Sequence, residues 1–464
     1  MTGVLVVGNG PAAHRLVQRL HHHGHPGPVT VLGAEPRPAY NRALLTAVLD
    51  GTLPPEGLAL PELPAGTRVR TGTRATSIDR RRRLVRTEDG AAHPYDVLVL
   101  ATGSRPVVPR LARGGGRFAP DVRYPHTLGD ARPLGREPVV VAGGGLRGVE
   151  TGHALARAGH DVTLVHPGPH PLHRLLDARA GTLLAVALRD AGLALETGRR
   201  VVGTEPGKVL LDDGSPLAAG TLLLCTGSRP DTALARAAGL TARRGVAVDD
   251  LLRTSAPHVY ALGDCAEPPG PGAHGTLASA WDQADALART LTGTTGAPGP
   301  ARRAVRPRLT GIDLAVVGPP DDPDGTGSAG DERVELSDPA RGRYGRLLFR
   351  DGRIRAAVLL GLPRAASAVG LLYAEDRPAP ADRLALLLGA TEEYAGGAEL
   401  PDTAVVCQCN NVTRGTLLRA WRDGARDLPA LAAATRATTG CGSCAALVRG
   451  ICEKAAEASR EAAP

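Results

Sequence analysis

Short apolar, β-branched runs alternate with amphipathic stretches through the first 300 residues, and that alternation predicts a parallel α/β architecture. Val4–Val7 reads as a strand, Pro11–His22 as a helix, Val29–Leu32 as a second strand and Val97–Ala101 as a third, ending in Thr102-Gly103. The same order then begins again. Val139–Ala142 is a strand, Leu146–Ala158 a helix and Val162–Val165 a strand, and Leu222–Cys225 ends in another Thr-Gly pair, Thr226-Gly227. The pattern predicts one βαβ dinucleotide module nested inside another.

Beyond residue 292 the pattern changes. Residues 292–304 read as a linker, and strands with hairpin spacing follow around Leu309–Val317 and Gly345–Leu360. A helix is expected near Arg364–Tyr373, a loop over 319–332 rich in Pro, Asp and Gly, and a break near Ala395–Asp402. The chain of 464 residues is too long for one hydrophobic core, and length alone suggests about three domains. The element pattern divides it into four: 1–110 with 245–300, 111–244, 305–392, and 400–464.

Two glycine loops carry candidate chemistry. Gly8-Asn9-Gly10-Pro11-Ala12-Ala13 follows a strand and opens a helix. Its first glycine permits the turn, its second lets backbone approach a pyrophosphate, and the helix N-terminus favours an anion. Ala13 stands in for a third glycine. The second strand runs on to Glu35, an acceptor for the hydroxyls of an adenosine ribose. Gly143-Gly144-Gly145-Leu146-Arg147-Gly148 repeats the motif with all three glycines, Gly143, Gly145 and Gly148. Two loops imply two dinucleotides, and FAD with NAD(P)H is the economical pair. His166 ends the second module's strand where an acid is common, which leaves NADH against NADPH open. Arg174 is a candidate for a 2′-phosphate. Glu150 has two readings, a contact to the nicotinamide amide or a helix-surface carboxylate.

Charge and composition narrow the class. The net charge is +8, and Lys208 and Lys454 are the only lysines. The run Arg80–Arg83 lies close to the acidic pair Glu88-Asp89 and lacks interleaved aromatics, so it reads as a solvated face rather than a nucleic-acid surface. His21-His22-His23 with His25 likewise reads as solvated. No apolar run reaches the ~20 residues of a membrane span, and no signal peptide pattern opens the chain. The expectation is a soluble, cytoplasmic protein.

Cysteine usage is uneven. Of seven, none precedes Cys225 and five lie in the last 60 residues. Cys225 and Cys265 are expected to pack in the interior. The tail carries Cys407-Gln408-Cys409, then 31 residues, then Cys441-Gly442-Ser443-Cys444. Four converging thiolates hold either two sulfide-bridged irons or one zinc. Gly440 and Gly442 would bring backbone N–H groups close to sulfur, and Cys452 is expected to pack.

The first 300 residues resemble flavoprotein disulfide reductases, in the branch of rubredoxin and ferredoxin reductases. The resemblance rests on the two glycine loops, on Ala101-Thr102-Gly103-Ser104-Arg105-Pro106, on Thr226-Gly227-Ser228-Arg229-Pro230-Asp231, and on Val259-Tyr260-Ala261-Leu262-Gly263-Asp264. It implies that Asp264 holds the ribityl chain of FAD beside the Gly263 turn. It also implies that the helix containing Trp281-Asp282-Gln283-Ala284 points its N-terminus at the flavin. The chain departs from the dithiol branch, because no cysteine pair lies near the first loop. The tail resembles the [2Fe–2S] domain of bacterioferritin-associated ferredoxin.

Taken whole, the order of parts is similar to the front half of assimilatory nitrite reductase large subunits and to electron-transfer subunits of assimilatory nitrate reductases. Glu35-Pro36-Arg37-Pro38-Ala39-Tyr40-Asn41-Arg42 is the most specific match, and by resemblance Arg42 lies near the FAD pyrophosphate. Leu309-Thr310-Gly311-Ile312-Asp313-Leu314 marks the small domain. No cysteines for a sirohaem region follow Cys452, so the expectation is a relay from NAD(P)H through FAD and the cluster to a separate terminal reductase. A flavin-dependent amine or opine dehydrogenase subunit, and a rubredoxin or ferredoxin reductase with a zinc-binding docking tail, stay open as alternatives.

Overall fold

The computed structural model describes residues 2–113, 120–270, 276–294, 304–318, 330–389, 402, 404–407, 410, 412–439 and 444–461. Most of the 292–304 linker and of the 319–332 loop, the Ala395–Asp402 break apart from Asp402, and both Cys409 and Cys441 lie outside the described residues. By its contacts the chain forms two compact units. One comprises Met1–Arg110, Arg123–Leu134 and Leu224–Ala301. The other comprises Leu111–Val122, Gly135–Leu223 and Arg302–Pro464.

The first unit is built on a five-stranded sheet in the order Val259–Ala261, Val97–Leu100, Val4–Val7, Val29–Leu32, Arg68–Arg70. Every neighbouring pair is parallel. Val4–Val7 and Val97–Leu100 are buried along their whole length, which explains why they read as continuous apolar runs rather than alternating ones. The Pro11–His22 helix buries Ala13, Leu16, Val17 and Leu20 and ends in basic residues that suit its C-terminus. Arg15 on its outer side meets Asp285 of the Leu277–Leu291 helix at 2.6 Å. A three-stranded antiparallel sheet, Ala75–Asp79, Leu84–Thr87 and Ala92–Pro94, had no counterpart in the pattern reading. Its first turn is the basic run: Arg80–Arg83 is exposed, and the Asp79 carboxylate accepts from the N–H groups of Arg81 and Arg82.

The second unit repeats the plan. Its sheet runs Asp121–Arg123, Thr221–Leu224, Val139–Ala142, Val162–His166, Ala194–Thr197, with the last three strands parallel. The Leu146–Arg157 and Ala178–Asp190 helices belong to it, the latter capped by Asp177. Residues 314–360 form an antiparallel sheet in the order Leu314–Val317, Arg353–Leu360, Arg343–Arg350, Glu332–Asp338. The expected strand at Leu309 begins only at Leu314, because Thr310-Gly311 turns, with Gly311 at φ +86°. The Pro363–Ala374 helix closes this sheet's core through Ala365, Ala366, Val369 and Leu372.

The tail forms a small core of its own. Val405–Cys407 pairs antiparallel with Val412–Thr413, and three helices follow: Arg414–Arg422, Leu428–Thr435 and Ala445–Glu461. Thr413 and Asp427 cap the first two. No helix among the described residues is long and apolar enough to cross a membrane.

Candidate functional site

At the first glycine loop the backbone is shaped for close approach. Gly8 sits at φ +117°, and a Cβ there would lie 2.1 Å from Ala101 O, so only glycine fits. Gly10 is the N-cap of the Pro11–His22 helix, and a Cβ on it would meet nothing within 4 Å. That helix has no side-chain cap. Pro11 contributes no N–H, and the next N–H groups of the first turn have no intrahelical acceptor. Ala13 is buried at the packing position. Asn9 Oδ1 is buried with no partner among the described residues. An open, uncapped helix start beside an orphaned polar atom fits a bound pyrophosphate.

Glu35 and Arg42, singled out separately by the sequence, are brought together. Arg42 donates to one Glu35 oxygen, while Tyr40 Oη donates to the other at 2.8 Å. Arg42 also donates to His126 O at 3.2 Å, and Tyr40 Oη accepts from Leu128 N–H at 3.0 Å. Burial, first of all, pushes the Tyr40 phenol up to about 12, so it stays a donor. Sequence reasoning missed the parts played by Tyr40, His126 and Leu128. Nothing short of the fold brings residues 126–128 beside residue 40.

The two Thr-Gly crossings also meet. Ser104–Pro106 pairs antiparallel with Ser228–Pro230, Thr102 Oγ1 donates to Asp231 O at 2.8 Å, and Val107 N–H donates to Gly227 O at 2.9 Å. Gly103 and Gly227 take φ +73° and +102°. Asp264 accepts from Ser104 Oγ at 3.0 Å. Gly263, at φ +74°, would place a Cβ 3.2 Å from the Ala12 Cβ, and its N–H donates to Gln283 Oε1 at 2.7 Å. Gly263 thus lies against the first glycine loop, and Gln283 fixes that turn. Cys225 and Cys265 are both buried.

The second glycine loop has the same backbone and different neighbours. Gly143 is again at φ +117°, its N–H donating to Val165 O at 2.8 Å. Gly145 is the N-cap of the Leu146–Arg157 helix, uncapped and open. Gly148 is buried within that helix. A Cβ on Gly144 would lie 2.5 Å from the His166 ring, whose Nδ1 accepts from Gly144 N–H at 3.0 Å. Burial, followed by neighbouring cationic groups, lowers His166 to about 4, so the ring is neutral. Glu150 is engaged on both oxygens by Arg308, from its backbone N–H at 2.8 Å and its guanidinium at 3.2 Å.

In the tail, Cys407 and Cys444 are buried in one apolar core with Cys452, Val412, Leu417, Trp421 and Val448. The other two candidate ligands, Cys409 and Cys441, lie outside the described residues. Residues flanking them do meet. Asn410 Nδ2 donates to Arg436 O at 2.6 Å and to Thr439 Oγ1 at 3.1 Å, tying the C-x-C half to the approach of the C-x₂-C half. Two buried thiols and a clasp between the motif halves fit a buried cluster.

Two parallel sheets, each opening a helix from a glycine loop, followed by a cysteine-bearing helical tail, define a two-dinucleotide oxidoreductase with an iron–sulfur domain. The chain belongs to the pyridine nucleotide-disulphide oxidoreductase family, whose model matches residues 2–286, and the BFD-like [2Fe-2S] binding domain matches residues 405–454. Over 97% of its length it is 28% identical to a nitrite reductase [NAD(P)H] of Bacillus subtilis (strain 168). It is equally similar, at 28% over 97%, to the assimilatory nitrate reductase electron transfer subunit of that organism. It spans 57% and 59% of those two proteins. Putidaredoxin reductase, solved in covalent complex with putidaredoxin, superposes with a TM-score of 0.74 at 26% identity, over 85% of this chain and 99% of that one. The chain is an NAD(P)H-dependent FAD oxidoreductase with a [2Fe–2S] domain.

Proposed function

We propose that this chain is an electron-transfer subunit that relays electrons from NAD(P)H to a separate terminal reductase, of the assimilatory nitrate or nitrite type. The carrying observation is a cysteine-rich [2Fe–2S] domain on the same chain as both dinucleotide modules, with no cysteine before Cys225 to form a dithiol. When bound, FAD accepts a hydride from the nicotinamide and can release electrons singly, which a [2Fe–2S] centre carries onward.

The residues divide that task. Gly8, Gly10, Pro11 and Ala13 form the turn and helix start for the FAD pyrophosphate, and Glu35 with Arg42 holds its adenosine end. Thr102, Gly103 and Gly227 form the crossings beside it, while Gly263, Asp264 and Gln283 take the ribityl and flavin side. Gly143, Gly145 and Gly148 receive the nicotinamide dinucleotide, with His166 at its ribose end. Glu150 contributes through its pairing with Arg308, which anchors the helix that starts at this loop. Cys407, Cys409, Cys441 and Cys444 are the cluster ligands. Residues 1–110 with 245–300 form the FAD-binding domain, 111–244 the NAD(P)H-binding domain, 305–392 a small α+β domain and 400–464 the cluster domain. A cytoplasmic setting accords with thiolates kept for iron.

An anaerobic titration of the purified protein with NADH and with NADPH tests the relay. Bleaching of the flavin band together with a reduced [2Fe–2S] paramagnetic signal is the expected result. Flavin bleaching without an iron signal, and zinc in the metal assay, would remove the internal exit. The acceptor would then have to meet the flavin directly.

A further inference from the structure

The strand that ends the second dinucleotide loop carries hydrogen bonds of fixed direction. Gly144 N–H donates to His166 Nδ1 at 3.0 Å, so in the neutral ring the proton resides on Nε2. That Nε2 lies 2.8 Å from His173 Nδ1 and donates to it. His173 in turn carries its own proton on Nε2, a donor directed away from the pair. Both acceptor nitrogens are therefore consumed, and the pair offers only donors. The backbone reinforces this arrangement. Leu172, at φ +56°, donates its N–H to Gly144 O at 2.8 Å, so both polar atoms of Gly144 bind the segment from His166 to Leu172. Gly168 is pressed on the two rings, where a Cβ would lie 2.4 Å from His173 Nδ1 and 2.6 Å from His166 Nε2.

Of the arginines near the pair, Arg199 donates its N–H to His166 O at 3.1 Å and is ion-paired with Asp213, and Arg200 donates its N–H to Asp212 at 3.0 Å, whereas Arg174 follows His173 directly in the chain. Arg174 is exposed and makes no ion pair among the described residues. A free ribose presents two hydroxyl donors and calls for an acceptor such as a carboxylate. A 2′-phosphate presents oxygens bearing close to two negative charges and calls for donors and a guanidinium.

We propose that this strand end selects the 2′-phosphorylated dinucleotide, NADPH, with Arg174 and the outward donor of His173 as the specificity-determining groups. The proposal rests on reading Gly143–Gly148 as the nicotinamide dinucleotide loop. It is tested by isothermal titration of the FAD-loaded full-length protein with 2′,5′-ADP and with 5′-AMP, fragments that differ only at the 2′ position. The expected result is at least tenfold tighter binding of 2′,5′-ADP. Arg174→Ala, an exposed position, lowers that affinity about tenfold and 5′-AMP affinity far less, and Arg174→Lys recovers part of it. His166→Glu reverses the preference. Equal affinities, or tighter 5′-AMP, overturn the selectivity while leaving the dinucleotide loop standing. Binding of neither fragment overturns the loop reading and the selectivity with it.

Discussion

The two glycine loops share a backbone and differ in what stands at the end of the next strand. Gly8 and Gly143 both take φ +117°, and each donates its N–H to the neighbouring strand at 2.8 Å. Beyond the first loop stands Glu35, clasped by Arg42 and Tyr40. Beyond the second stands His166, turned back onto Gly144 and held against His173. The turn is dictated by sterics that any pyrophosphate site must satisfy. The strand end is free to vary, and it carries the chemistry of choice. At one strand end an acid is held by its own cation, and at the other two histidine rings are hydrogen-bonded to each other.

Substitutions at the two turns break the comparison most severely. Gly8→Ala forces a Cβ to 2.1 Å from Ala101 O in a left-handed conformation, a strain of about 3 kcal/mol or more. The protein is expected to lose FAD, read as the ratio of flavin to protein absorbance, whereas Gly10→Ala, which meets open space, retains most of it. A flavin-replete Gly8→Ala protein would sink the steric account. At the second loop Gly144→Ala collides with the His166 ring instead of backbone. The expected outcome is roughly 100-fold weaker binding of the nicotinamide dinucleotide with FAD retained, since a displaced ring also leaves the Gly144 N–H unpaired. Pairing it with His166→Ala relieves the clash, and a double mutant no better than the single one would assign the defect elsewhere.

The histidine also marks the second loop by pH. His166 is held near 4, below the ordinary value of 6.5, so in this window the unfolded chain takes up a proton that the folded protein refuses. The His166 contribution to stability is therefore expected to fall as pH drops from 6.5 towards 4, by roughly 3 kcal/mol, and to level off below that. Denaturant melts of the wild type and of His166→Asn across that range measure the difference, and identical slopes would remove the assignment. A smaller effect is expected at the first loop. Glu35→Gln removes the charge from a half-exposed pair with Arg42 and weakens FAD retention by about 1 kcal/mol, checked by flavin release during dialysis.

The cysteine tail has an apolar core of its own. Cys407→Ser and Cys444→Ser are expected to abolish the iron signal while leaving flavin content unchanged, whereas Cys452→Ala keeps it. Iron and acid-labile sulfide analysis reads all three.

The nested modules, the glycine loops and the four-cysteine spacing were legible in the sequence because each is a local rule. A buried parallel strand is a short apolar run, and a pyrophosphate turn needs glycine where no Cβ fits. The same locality hid other features. The three-stranded sheet around Arg80–Arg83 is made of strands of three to five residues that bury only Ile78, Val85 and Thr87, too short for a periodic signal, and the Leu309–Val317 strand is shortened by a turn at Gly311. Only tertiary structure decided the partners of named residues. Glu35 and Arg42 are seven residues apart but depend on His126 and Leu128 to complete their clasp. Glu150 meets Arg308 across 158 residues, and Asn410 reaches Thr439 across the cysteine tail. The sequence by itself determined where backbone must turn and which atoms could carry electrons, since these follow from sterics and donor chemistry within a few bonds. Which side chain satisfies which depended on long-range packing, where a hydrogen bond of about 3 Å is made or lost by where the chain returns.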